Sequence, residues 1–329
     1  QLHPMTSLSL SEAIDASFKS FAQRRPLANL SFALNHYFHG LRLPGYHVVN
    51  IIIHVINGIL LYFLTYKTLT LTKPPCCRHP RWIAGLSSLL WSVNPLQVES
   101  VTYVVQRMTS LAALFFLLSF LFYLYGRQGR KRGSRIFFGG LSFLSFAFSV
   151  ATKEWAWILP GLIFFYEWLF FQNLSRTWLK RSTVYVVLGL AAAVLALYAV
   201  YGYSPLSVLT SISQPRPFTP LERLFTEARI IFIYMGLLLY PHPSRLNLNH
   251  DIAVSHGLLD PSSTLLSFLG VFGLLFLVVL AITRGYRWLA FFIGWFLASI
   301  AVEALVADLE LMFEHRVYLA SMFFFIPFL

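Results

Sequence analysis

The sequence predicts an all-α polytopic membrane protein, and three observations carry that prediction. First, 57% of the 329 residues are hydrophobic and only 12% charged, whereas about a quarter charged is usual for a soluble domain. Mean hydropathy is +0.66, more apolar surface than a soluble fold of this length can bury. Second, eight apolar stretches approach the length of about 20 residues that a spanning helix needs, and a ninth is cut off at the C-terminus. Third, 14 of the 25 cations lie on four connections between those stretches, which contain none of the 13 acids. Basic residues spaced in this way are a topology signal rather than a nucleic-acid surface, and no nucleic-acid partner is expected.

Residues 1–45 do not span. Ser9 and Glu12 have capping-box spacing, and Leu10, Ile14, Phe18 and Phe21 recur at helical spacing beside Glu12, Asp15 and Lys19, which predicts an amphipathic helix flat on the outer leaflet. A second short helix follows Pro26. The spans have expected cores at 46–66, 82–98, 107–125, 136–152, 155–171, 183–201, 264–283 and 287–306, with the last starting near 316. Domain organisation is therefore 1–45 as outer-face helices and 46–329 as a transmembrane bundle. The segment 229–240 is too short to cross, and reads as a re-entrant or interfacial helix within a 202–263 outer loop. Thr219, Pro220 and Glu222 supply its N-cap, first-turn proline and capping box.

The basic connections hold Lys67, Lys73, Arg78 and Arg81; Arg127, Arg130, Lys131, Arg132 and Arg135; Arg176, Lys180 and Arg181; and Arg284 and Arg287. The positive-inside rule makes them cytoplasmic. Residues 99–106, 153–154 and 307–315 then fall outside with the N-terminal helices. Cys76 and Cys77 are adjacent, a strained geometry for a disulfide, and read as reduced thiols. The chain opens at Gln1 and stops inside an apolar run, so both ends are expected to be truncated or processed.

Several motifs share one source. Arg25-Pro-Leu-Ala-Asn-Leu-Ser-Phe-x-Leu-Asn35 is followed by Gly45-Tyr-His, Asn50 and His54. Asn94-Pro-Leu-Gln-Val-Glu99 precedes Gln106-Arg107 and Lys153-Glu154. Tyr240-Pro-His-Pro-Ser-Arg245, Leu259-Asp-Pro261 and Glu314-His-Arg316-Val-Tyr318 complete the series. In this order and spacing the chain resembles the type C (GT-C) glycosyltransferases fused to tetratricopeptide repeats, a group holding the eukaryotic transmembrane O-mannosyltransferases and many bacterial relatives. The final motif looks closest to the bacterial branch. The resemblance implies a GT-C-like bundle in a bacterial inner membrane with its active face periplasmic. It also implies inverting transfer of a hexosyl or pentosyl group from a polyisoprenyl-phosphate donor to a protein or glycan hydroxyl. In that family an acidic pair on the first outer loop acts as base or metal ligand, and this chain begins downstream of it.

Glycosyl transfer needs a carboxylate near the acceptor, and cations or a divalent metal at the departing phosphate. Charges near the hydrocarbon boundary are candidates by default. Glu99, Glu314 and His315 are the candidate catalytic residues. Lys153, Arg245, Arg316 and Arg107 are the candidate phosphate ligands, since ammonium and guanidinium groups bind phosphate oxygens. Glu99 is also a possible Mg or Mn ligand, and no organic cofactor is expected. Each has a plainer reading: Glu99 pairing with Arg107, Lys153 snorkelling, Arg316 pairing with Glu314 or Asp308. His36, His39, His47 and His54 lack the carboxylates or cysteines that would complete a metal set. Glu167 lies among interfacial aromatics and is assigned no catalytic role. Two other readings stay open: a catalytically silent accessory subunit of a membrane complex, and a transporter, for which inverted repeats would be expected.

Overall fold

A computed structural model describes residues 4–20, 22, 25–72, 78–187, 218–248, 250–306 and 311–329, with only the backbone of 304–306. Lys73, the two cysteines, Asp308 and the second half of the 183–201 stretch lie outside the described residues. The described chain is built of helices and turns without a strand. Its α-helices are α1 (Leu10–Phe18), α2 (Pro26–His39), α3 (Leu43–Thr72), α4 (Pro80–Val93), α5 (Val98–Thr102), α6 (Arg107–Gln128), α7 (Arg132–Val150), α8 (Leu159–Tyr166), α9 (Pro220–Leu239), α10 (Ser263–Thr283), α11 (Arg287–Val306) and α12 (Val317–Ala320). Among the described residues four helical stretches are long and apolar enough to cross a membrane: Leu43–Thr72, Val104–Gln128, Arg132–Val150 and Ser263–Thr283.

Other elements cross the same layer in broken or polar-ended form. Lys153 meets Thr109 near one end of α6, and Glu167 meets Arg127 near the other. The chain from 153 to 167 therefore runs the length of α6, about 27 Å at 1.5 Å per residue. It does so as a 3-10 turn (Glu154–Ile158), then α8, then a π turn (Glu167–Phe171). Likewise Arg287 opens α11 beside Leu169 and Asn173, while Glu303, sixteen residues on, reaches Lys153. α4 stops at Val93 because Asn94 precedes Pro95; the Asn94 side chain accepts from Leu96 N and caps the turn that follows. The bundle thus has a basic end, where Arg127, Arg135, Arg284 and Arg287 lie, and a mixed-charge end, where Glu99, Lys153, Glu303 and Arg316 lie.

Close helix approach depends on small residues, as expected where lipid offers no hydrophobic drive to association. Ser119 and Ser142 donate reciprocally to each other's carbonyls across α6 and α7, at 2.7 and 2.8 Å. Gly58 leaves room for Ser92, and Gly294 for the Phe165 ring. The centre is aromatic: Trp91, Phe116, Phe120, Tyr166, Phe291, Trp295 and Phe323 are buried together, largely in edge-to-face pairs.

At the mixed-charge end α1 packs Ala16 inward while Leu10, Ile14 and Phe18 stay exposed, an apolar face suited to a membrane surface. Ser9 caps α1, but Glu12 reaches past the cap residue to the backbone N–H groups of Thr6 and Ser7. Arg25 clamps α2 to Glu154 at 2.8 Å.

α9 is a 20-residue helix that begins nine residues before the expected 229–240 segment, because the Thr219–Glu222 capping box closes in both directions. It lies across α10 rather than along it. Phe225 packs on Phe268, and Phe232, seven residues later, fills the space over Gly270, only two residues later. Both ends are tied to the same end of the bundle. Asn94 donates to Leu238 O near the C-terminus, and Thr226 near the N-terminus accepts from Ser255 N, whose hydroxyl accepts from Thr264 at the start of α10. Single cysteines placed at Leu221, in the first turn of α9, and at Leu258, beyond its end, are therefore expected to label from one side of a sealed membrane, and cysteines at Arg130 and Lys180 from the other. Labelling of Leu221 and Leu258 from opposite sides would mean that α9 crosses.

Candidate functional site

The mixed-charge end is organised by one turn. Glu314–Arg316 forms a 3-10 turn whose three ionisable side chains are all buried, and each reaches a different element. The Glu314 carboxylate accepts from Asn247 N at 2.7 Å and lies 2.9 Å from His250 Nε2, fixing the 241–250 loop. Burial pushes this carboxyl above its usual range, against those two donors. The Glu99 carboxylate accepts twice from His315, from its backbone N–H at 2.8 Å and from Nδ1–H at 2.8 Å. Nδ1–H donation leaves Nε2 as the acceptor nitrogen of the ring. Burial holds the His315 imidazole below the usual histidine range, and Glu99 only partly opposes it. Two residues beyond the turn, the Tyr318 hydroxyl joins His54 at 2.8 Å and Asn57 at 3.0 Å, locking the turn to α3.

Arg316 is the centre of the second group. Its Nε lies 3.7 Å from Glu303 on α11, and its Nη1 lies 3.9 Å from Glu227 on α9 and donates to Leu311 O at 3.1 Å. Glu303 also faces Lys153 at 3.5 Å, and Lys153 donates to Thr109 at 2.9 Å. These ion pairs are longer than the 2.7–2.9 Å of a charge-assisted hydrogen bond. Accordingly, Arg316 Nε and Nη2, Glu303 Oε2 and Glu227 Oε1 are buried with no hydrogen-bond partner among the described residues. They border a cavity of about 10 Å³ shared with Tyr234 and Ile300. Burial pushes the Glu227 carboxyl up to about 7, against Arg316 and Arg223. It also pulls the Lys153 ammonium below the usual lysine range, opposed by Glu303. Lys153 and Arg316 thus share the Glu303 carboxyl between them, with Glu227 as a second acid beside Arg316.

Among the candidates from sequence, Glu99 joins His315, and Lys153 joins Arg316 through Glu303, while Glu314 faces the 241–250 loop. Arg107 is a correction. It is completely buried, and its guanidinium donates to Asn50 Oδ1 and Asn35 Oδ1 at 2.6 Å each, to Tyr46 O at 3.1 Å and to Ser31 O at 3.2 Å, with Phe32 stacked against it. It holds α2, α3 and α6 together, with four of its five N–H groups already engaged by the protein. It is also not the partner of Glu99. Of the two partners expected for Arg316, Glu314 turns to His250, and Asp308 lies outside the described residues. Arg245 is exposed, its Nη1 donating to Tyr240 O at 3.3 Å beside Gly236, apart from the buried cluster. Each Glu99 oxygen accepts one hydrogen bond from His315, which fixes the orientation of the carboxylate. Among the described residues no three His, Cys, Asp or Glu side chains converge on a metal position.

Glu303 and Glu227 escaped the sequence reading. A signal was present: each is an acid inside a helix of a chain that carries only 13 acids, a placement that marks function or pairing. Glu227 lies between the expected cap at Thr219–Glu222 and the apolar 229–240 segment, and Glu303 lies near the end of the expected 287–306 span; neither has an expected partner.

Comparison with known proteins gives the cluster a context. The chain is 37% identical to "Protein O-mannosyl-transferase TMTC4" of Homo sapiens over 157 residues, 45% of this chain and 21% of that protein. It is 36% identical to "Protein O-mannosyl-transferase TMTC1" of Homo sapiens over 111 residues, 34% of this chain and 11% of that protein. It is also 36% identical to "Protein O-mannosyl-transferase tmtc2" of Xenopus laevis over 224 residues, 68% of this chain and 20% of that protein. The matched stretches span at most about a fifth of the length of these relatives. No protein-family model matches the chain, and no solved structure matches it. The chain is a relative of the TMTC protein O-mannosyl-transferases.

The Arg107 geometry gives a direct expectation. Arg107→Met leaves four oxygen acceptors without their donors in a buried site, and is expected to lower stability by about 3–5 kcal/mol. Thermal unfolding in detergent measures the loss. Donor binding per folded molecule is expected to stay at the wild-type level, and a selective fall in donor affinity at unchanged stability would restore Arg107 as a phosphate ligand.

Proposed function

We propose, with kinship to the protein O-mannosyl-transferases as premise, that this chain is the membrane-embedded part of a glycosyltransferase. In this reading it passes a hexose, mannose by analogy with the relatives' names, from a polyisoprenyl phosphate to a protein hydroxyl at the non-cytoplasmic face. The mixed-charge end is the active end, because the basic loops at the other end carry the positive-inside signal. The named relatives are animal proteins, so the proposal is tied to the membrane face rather than to a bacterial inner membrane.

The observation that carries it is the loosely paired Arg316. Its buried Nε and Nη2 have no hydrogen-bond partner among the described residues, and Lys153 sits across Glu303 from it. A lipid phosphate offers both cations shorter, charge-assisted bonds than Glu303 and Glu227 do. As the bond from sugar to phosphate breaks, negative charge grows on the leaving oxygen, and preorganised cations stabilise it there. Inversion follows from a single displacement, with the acceptor hydroxyl attacking the face of the anomeric carbon opposite the phosphate.

The acceptor must lose a proton in that step. His315, kept neutral by burial and held by Glu99 with Nε2 as acceptor, is the group in this chain fitted to take it or pass it to a neighbouring carboxylate. Glu99 is then a positioning residue.

Mutation separates the two roles. Glu99→Gln has one acceptor oxygen where His315 presents two N–H donors, so either a bond or the ring tautomer is lost. Turnover is expected to fall by about tenfold to a thousandfold with donor affinity nearly unchanged. Arg316→Gln and Lys153→Gln are expected to weaken donor binding instead. Measurements are sugar transfer and donor binding by the full-length protein with mannosyl-phosphoryl polyisoprenol. Unaltered turnover in Glu99→Gln removes the His315 pair from the reaction. Absence of transfer by the wild type with polyisoprenyl donors would favour the silent-subunit reading.

A further inference from the structure

A long groove lies at the opposite end from the charged cluster. It runs between α6, α7 and α8, is closed along one side by Trp178, which stacks on Phe164 at 5.1 Å, and has a volume of about 720 Å³. Its polarity is graded along its length. At the basic end it is lined by Arg127 and Arg135; towards the middle of the bundle it is lined by Phe143, Phe146 and Leu159. From Arg135 to Phe146 the wall is eleven residues of α7, about 16 Å at 1.5 Å per residue. Half of a hydrocarbon core about 30 Å thick is about 15 Å. The groove is therefore one leaflet long, with cations where headgroups lie and apolar walls where chains lie.

The two arginines differ in how far they are neutralised. Arg127 is paired with Glu167 at 3.1 Å, and Glu167 also accepts from Gln172 and from the Tyr123 hydroxyl. Arg135 donates through Nε to Gly129 O at 2.8 Å, and no carboxylate among the described residues pairs with it. Its position on the groove wall sets its guanidinium over the mouth. Arg130, Lys131 and Arg132 flank that mouth in the sequence with no acid among them, so the local charge attracts an anion. Gly139 lines the middle of the groove, and a side chain built there would meet no atom within 4 Å. Among the described residues nothing fills this space.

We propose that this groove is a binding site for a phospholipid with an anionic headgroup. The phosphate sits on Arg135, and one acyl chain lies along α7 as far as Phe146 and Leu159. By the positive-inside rule the lipid comes from the cytoplasmic leaflet, opposite the face of the donor phosphate. Such a lipid would fill the gap between α7 and α8 and so brace the 153–171 segment, whose first residue is Lys153.

The test uses the full-length protein, equilibrated with mixed phosphatidylglycerol and phosphatidylcholine vesicles, then extracted in detergent, with retained lipid identified by mass spectrometry. Phosphatidylglycerol is expected to be retained over phosphatidylcholine, by about fivefold for each arginine that engages it. Arg135→Gln is expected to remove about fivefold of that preference. Gly139→Leu is expected to lower retention of both lipids by filling the groove, whereas Gly140→Leu, on the neighbouring position outside the lining, leaves retention unchanged. Equal retention of the two lipids by the wild type, or retention indifferent to both Arg135→Gln and Gly139→Leu, would overturn the proposal. Preferential retention of a polyisoprenyl phosphate would overturn it too, since the groove would then be a second donor site.

Discussion

One carboxylate, Glu303, is shared by two buried cations, and the arrangement at the mixed-charge end depends on it. A charge in this environment is tolerated only when paired. Lys153 and Arg316 come from opposite halves of the chain, and each lies within 4 Å of Glu303. Pairing draws the turn after α7, the end of α11 and the Glu314–Arg316 turn to one point. Arg316 then brings in α9 through Glu227, and its neighbour His315 brings in Glu99 and the short α5 helix. The sharing is incomplete: the distances exceed those of close hydrogen bonds and leave polar atoms unpaired. That incompleteness is what makes the cluster suited to exchange one anion for another.

A second buried cation makes the contrast clear. Arg107 is as deeply placed as Arg316, but four oxygens satisfy it at distances as short as 2.6 Å. It is a joint among α2, α3 and α6, and any ligand would have to displace amide and carbonyl oxygens already well aimed. Burial alone therefore does not separate a binding arginine from a structural one. Satisfaction of its donors does.

Much of the fold could be read in the sequence because a membrane imposes a simple length and polarity rule. Ser263–Thr283 and Leu43–Thr72 are unbroken apolar runs, and the structure makes them helices. Thr219-Pro-Leu-Glu222 announced the start of α9 through local chemistry. What the rule did not resolve were elements that satisfy it in pieces. Residues 154–171 alternate 3-10, α and π geometry, and α9 is long enough to look like a span while lying across its neighbour. In the site, Lys153, Arg316, Glu99 and His315 stood out as charges at helix ends. Their partnerships did not, because Glu99 and His315 are separated by 216 residues and no local pattern encodes that contact. Glu303 was hidden for a related reason: its role comes from the two cations it meets, neither of which is near it in sequence.

The central claim is that Arg316 and Lys153 exchange Glu303 for the donor phosphate. A structure of the full-length protein in lipid nanodiscs with a non-hydrolysable mannosyl-phosphoryl polyisoprenol analogue tests it most directly. The account predicts phosphate oxygens at hydrogen-bonding distance, about 2.7–2.9 Å, from Arg316 and Lys153, with the Glu303 carboxylate withdrawn from at least one of them. A phosphate seated elsewhere, with both cations still paired to Glu303, would contradict it.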